Sequence, residues 1–194
     1  MFFITQDYVN NNYKLLNISY NDLSSFCFDG VPIQENWWKQ SEIKNSIRFF
    51  SVLSPILTRD FFSHLIYSLS HFSAFFSSSP TQFYLFVPVS KYREIISRPS
   101  NNLSIYTSLT ILINSLFDCS EINLYSSKLK NVERVKIENK FHTVIPSSYF
   151  SYTDGHNFRS KENFIFLNIK PKLTLTKFES EFIINYVYVE TFFL

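Results

Sequence analysis

Glycine is nearly absent: Gly30 and Gly155 are the two glycines of a 194-residue chain, where ordinary usage would supply roughly a dozen. Walker loops, dinucleotide fingerprints and nucleophile elbows need glycines to bring backbone close to a phosphate or to bend sharply at an exposed serine. None of these motifs can be written with two isolated glycines. Alanine occurs once, at Ala74. Cys27 and Cys119 lie far apart with no partner at metal-ligand spacing, which predicts reduced thiols in a non-oxidising compartment. The opening MFFITQDYVNNNYK has neither the basic n-region of a secretory signal nor the Arg-rich character of an import presequence.

Charge is also scarce, at 18% of residues, and 61–90 carries none. That stretch is the best membrane candidate, but Ser63, His64, Ser68, Ser70, His71 and Ser77 to Pro80 interrupt it. A spanning helix wants about 20 predominantly apolar residues, so no membrane insertion is expected.

What the chain has instead is 23 phenylalanines and 12 tyrosines, with hydrophobic residues at 45%. Phe, Tyr, Ile, Asn and Ser crowd out residues with GC-rich codons, the imprint of an AT-rich genome such as an organellar one. The length fits one domain with extensions, and the apolar content supports a packed core rather than disorder.

Residues 1–46 are polar, Asn-rich and turn-prone, and read as an irregular extension anchored by Trp37 and Trp38. From Ile47 the pattern sharpens. IRFFSVLS predicts a buried strand stopped by Pro55, and Thr58 and Asp60 suit a helix start. Phe61, Phe62, Leu65, Ile66, Leu69 and Phe72 then recur at helical spacing. QFYLFVPVS predicts a strand, and Arg93 to Ser97 a second one paired with it through a hairpin. Leu103 to Phe117 fits a helix by spacing, against a Thr and Ile content that favours a strand. NVERVKIE alternates as a half-buried strand, with Val135 and Ile137 on one side. Ser147 to Ile169 resembles a hairpin turning at Asp154-Gly155, and 172–194 adds further strand character.

The order over 47–138 is strand, helix, strand, strand, helix, strand. It predicts an α+β fold with a ferredoxin-like split β-α-β sandwich at 47–140, flanked by the N-terminal extension and a β-rich C-terminal extension at 141–194.

Catalytic chemistry finds little footing. Asp60, His64 and His71 share a helical face, as a metal site requires, but only Tyr67 and serines accompany them. Asp154-Gly155-His156 has the composition of a catalytic fragment and equally that of an ordinary turn. No serine has a recognisable base or oxyanion loop. The expectation is a non-enzyme with no cofactor and no metal.

The cations point elsewhere. Net charge is only +2, yet 128–177 holds ten Lys or Arg against four acids, and 91–98 three against one. Lys91, Arg93 and Arg98 flank the predicted hairpin, followed by Ser100, Asn101 and Asn102; Lys128, Lys130, Arg134, Lys136 and Lys140 form the next group. Such cations neutralise phosphate, and Tyr92 and Tyr106 suit stacking on unpaired bases. Ordinary solvated faces account for the same residues.

With IRFFSVLS, TRDFFSHLIYSLSHF, LFVPVS and REIISRPSNNLSIY in this order, residues 47–138 resemble small-subunit ribosomal protein ten, a family with a split β-α-β fold and a long RNA-contacting hairpin. Arg98-Pro99-Ser100 stands where the family has Ser-Pro-His, and the family's basic His-Lys-Arg segment is missing from 109–116. The resemblance implies a structural constituent of a mitochondrial ribosome in the matrix, organelle-encoded, within a large hetero-complex. It would bind ribosomal RNA of the head and neighbouring small-subunit proteins, with Lys91, Arg93, Arg98, Asn101 and Asn102 touching RNA. The competing expectation is a non-catalytic accessory subunit of a respiratory-chain or ATP-synthase complex, its uncharged stretch packed on membrane subunits.

Overall fold

The computed structural model describes residues 2–7, 12–17, 47–55, 58–70, 74–76, 81–99, 105–124, 132–150, 162–172 and 185. They form a mixed α+β fold. Its centre is a four-stranded mixed sheet of β3 (Ile47–Val52), β4 (Thr81–Pro88), β8 (Phe164–Pro171) and β5 (Phe117–Glu121), in that spatial order. Two antiparallel pairs accompany it, β1 (Phe2–Asp7) with β2 (Asn12–Asn17) and β6 (Glu133–Ile137) with β7 (Lys140–Val144). The sequence predicts an irregular start, yet 2–7 pairs with 12–17 as strands, Phe2 opposite Asn17, and β1 lies against β3.

β3 and β4 are parallel and hydrogen-bonded directly, and α1 (Thr58–Ser70) connects them. A split β-α-β motif would hold another strand between that pair, so the sheet order departs from the ferredoxin-like expectation. The strand beside β4 on its other side is β8, antiparallel to both β4 and β5. Its Phe164, Ile165, Phe166, Leu167 and Ile169 are all buried, the near-continuous apolar run of a strand covered on both faces. The segment expected as a C-terminal extension therefore supplies a central strand.

The second strand of the predicted basic hairpin is instead a helix. Val89–Ile96 forms α2 directly after β4, because Tyr92 and Ile95 fall one turn apart on the buried side while Arg93 points to solvent. The Glu162 carboxylate accepts from the Ser90 N–H at 2.6 Å, placing negative charge on the helix's positive end. At the other end, Thr110 Oγ1 and Asn114 Nδ2 of α3 (Ser108–Leu116) donate to the carbonyls of Glu94 (3.0 Å) and Ile95 (2.8 Å). Carbonyls in the last turn lack partners further along the helix; that of Glu94 also accepts the Ser97 N–H and hydroxyl, and the bonds from α3 tie the two helices together. A capping box between Thr107 and Thr110 starts α3, and helix is indeed the outcome for the ambiguous 103–117 segment over 108–116.

α1 buries Phe61, Phe62, Leu65, Ile66 and Leu69 as its spacing predicts. Thr58 does not cap by accepting; its hydroxyl donates to the Ser54 carbonyl at 2.6 Å. Beneath α1, Phe83 of β4 is ringed by Phe49 (5.3 Å, stacked), Phe75 (5.2 Å, edge-on), Phe61 (5.9 Å) and Phe76 (6.0 Å). A second aromatic row crosses the opposite face of the sheet through Phe50, Tyr84, Phe166 and Phe86. Each fully buried phenylalanine contributes roughly 1.5–3 kcal/mol, so this end carries much of the stability. Among the described residues no helix is long and apolar enough to cross a membrane; the described part of the uncharged stretch is divided between α1, a short helical turn, β4 and the start of α2.

Candidate nucleic-acid interface

β6 and β7 are joined by a two-residue turn in which Glu138 (φ 46°) and Asn139 (φ 67°) both take left-handed backbone, the geometry a tight hairpin demands. Asparagine tolerates it; glutamate does so at a cost. Alternation then divides the hairpin. Val135, Ile137, Lys140 and His142 share one face, which turns toward the core, and Arg134, Lys136 and Phe141 share the other. Lys136 lies directly opposite Phe141, whose ring is 71% exposed.

Between this hairpin and the C-terminal end of α2 lies a cleft of about 630 Å³. Arg98, Tyr106 and Lys140 line it, with Ile96, Ile137 and Glu138. Arg98 and Lys140 are exposed and Tyr106 is half-buried. Its inner wall is polar and buried. His142 is 5% exposed, and its Nδ1 is 2.6 Å from Glu121 Oε2 and 3.2 Å from the Tyr92 hydroxyl. Glu121 Oε1 also accepts the Thr143 N–H at 3.1 Å. The shorter contact assigns the Nδ1 proton to the pair with Glu121. His142 Nε2 is buried and makes no hydrogen bond among the described residues.

Burial, then the carboxylates of Glu121 and Glu138, raises the Tyr92 hydroxyl above the ordinary phenol range, which keeps it neutral. Burial pushes the Cys119 thiol up to about 12, with Asp118 adding and Lys172 opposing. A thiol held protonated is a poor nucleophile, so Cys119, although in the cleft wall, is not poised for covalent chemistry. It is a free cysteine; Cys27 lies outside the described residues.

The sequence-predicted residues divide three ways. Arg93 is exposed on α2, Arg98 just beyond it, and Arg134 and Lys136 on the outer face of the hairpin. Lys91 is half-buried and paired with Glu94 at 2.8 Å, which leaves it less available to phosphate. Ser100, Asn101, Asn102, Lys128 and Lys130 lie outside the described residues, as do His71, Trp37, Trp38 and the Asp154-Gly155-His156 turn. Asp60 is exposed on α1 and His64 half-buried.

Sequence reasoning missed Glu121, Phe141 and His142. The signal for Phe141 was present, since a large aromatic between Lys140 and His142 follows a tight turn, but Glu138-Asn139 is not among the usual hairpin pairs. Neither the family models nor the curated proteins compared with this chain match it.

Proposed function

We propose that the protein is a non-catalytic, RNA-binding structural constituent of an organellar small ribosomal subunit, held in a large assembly through its aromatic surfaces. The observation that carries this reading is convergence. Arg98 and Lys140, from cationic segments separated in sequence, line one cleft with Tyr106. The adjoining hairpin carries Arg134 and Lys136, with Phe141 exposed beside Lys136. Cations beside an exposed ring are what single-stranded RNA requires: phosphate neutralisation for affinity and a stacking platform for unpaired bases. Its work is geometric, fixing an RNA fold by neutralising phosphates where strands approach. The cationic helix end replaces the expected β-finger, and the likeness to ribosomal protein ten rests on the quoted sequence segments alone.

Sedimentation after detergent extraction tests the assignment. The reading predicts co-migration with small ribosomal subunits, and stable migration with inner-membrane complexes contradicts it. In purified protein, replacing Arg98 and Lys140 together by Glu should weaken single-stranded RNA binding more than tenfold at low salt. It should also flatten the salt dependence, since each lost phosphate contact removes about 0.7 from the log–log slope.

A further inference from the structure

The cleft beside α2 has a feature that general phosphate binding leaves unused. Its volume of about 630 Å³ falls in the range of sites that enclose a small organic ligand, about 300–1,000 Å³. Its outer part is cationic, its side walls are Tyr106, Ile96 and Ile137, and its inner wall holds His142. Glu121 holds the His142 Nδ1, so Nε2 is the ring nitrogen left to meet a ligand. That nitrogen is buried without a partner among the described residues, a state that costs free energy until a partner arrives.

Resting on the RNA-binding reading above, we propose that the cleft receives one unpaired nucleotide of the bound RNA. Its base lies against Tyr106, an N–H of its edge donates to His142 Nε2, and its phosphate sits between Arg98 and Lys140. Glu138, in the same wall, disfavours phosphate on its own side and so directs the backbone toward the two cations. Bases splayed out of a strand are held in this way, by stacking on an aromatic ring and hydrogen bonds to their edges. The site selects bases with a donor on that edge, such as adenine and cytosine through their amino groups.

The test uses the full chain with a single-stranded oligoadenylate and with two mononucleotides, adenosine 5′-monophosphate and purine riboside 5′-monophosphate, which lacks the amino group. Tyr106→Ala should lower oligoadenylate affinity about tenfold without changing the salt slope, and Tyr106→Phe, which keeps the ring, should restore it. Adenosine monophosphate should bind at least fivefold more tightly than the purine riboside analogue. Circular dichroism of each variant verifies folding. Binding of RNA that is insensitive to Tyr106→Ala, or equal affinity for the two mononucleotides, overturns the nucleotide cleft and leaves the RNA-binding reading standing. Absence of RNA binding by the unaltered protein overturns both.

Discussion

The two ends of the helix-covered layer are built on different principles. Beneath α1, between β3 and β4, the space is filled by Phe49, Phe61, Phe75, Phe76 and Phe83, none more than marginally accessible. Toward β5 the same layer turns polar, with His142 in contact with both Tyr92 and Glu121 and a cleft at their side. The first end gains stability from apolar area and ring geometry, which tolerate no opening. The second gives up packing density for hydrogen-bonded groups and solvent access, the usual exchange at a binding site. A chain so rich in phenylalanine could have filled both ends alike, and the proposed RNA site lies at the end it leaves polar.

Substitutions at the two ends should differ most. Phe83→Ala removes the ring around which four others pack and should cost about 3–5 kcal/mol in urea denaturation. Tyr106→Ala at the open end should cost under about 1 kcal/mol. Equal losses would break the comparison.

Next in size is Glu121→Ala, which strands the Thr143 N–H in a buried setting and leaves His142 Nδ1 only the Tyr92 hydroxyl. Its expected cost is about 2–3 kcal/mol, and Glu121→Gln should recover part of it by keeping an acceptor. A loss below about 0.5 kcal/mol, within the noise of such measurements, would show that the polar end contributes nothing to stability.

Alkaline pH should sharpen the contrast further. Cys119 ionises near 9.0 when unexposed to the fold's influence and near 12 in the folded chain. Below pH 9 both states keep the proton. As pH rises from 9 toward 12 the unfolded chain releases it while the folded chain retains it, so stability falls, by up to about 1.4 kcal/mol per pH unit. Tyr92, raised in the same sense, adds to the fall once pH exceeds its ordinary value. Denaturation of Cys119→Ala should show a shallower alkaline limb than the unaltered protein; an identical limb would show that the thiol is not held protonated by the fold. The smallest effect belongs to Lys91→Ala. Its pair with Glu94 is partly solvated, and its loss should change stability by less than about 0.5 kcal/mol.

The aromatic end was legible in the sequence because its information is local. α1 declares itself through Phe61, Phe62, Leu65 and Ile66, and β3, β4 and β6 through β-branched and aromatic runs with alternation at Val135 and Ile137. α2 was misjudged because Ile95-Ile96 suggests a strand in isolation, whereas the helix is favoured by the partners Glu162, Thr110 and Asn114. None of these lies within its own segment. The role of β8 was hidden for a related reason, since pairing with β4 and β5 joins residues far apart in the chain. The cleft is the extreme case: Arg98, Tyr106, Cys119 and His142 come from four segments, and only the tertiary fold brings them together. The cations themselves were visible, but which of them converge was not.

Ultraviolet cross-linking of the protein in the complex with which it sediments, with the modified peptides located by mass spectrometry, tests the central claim most directly. The account predicts RNA adducts on Tyr106 and on the hairpin around Lys136 and Phe141. Particles that contain the protein but carry RNA adducts only elsewhere on its surface, or none at all, would contradict it.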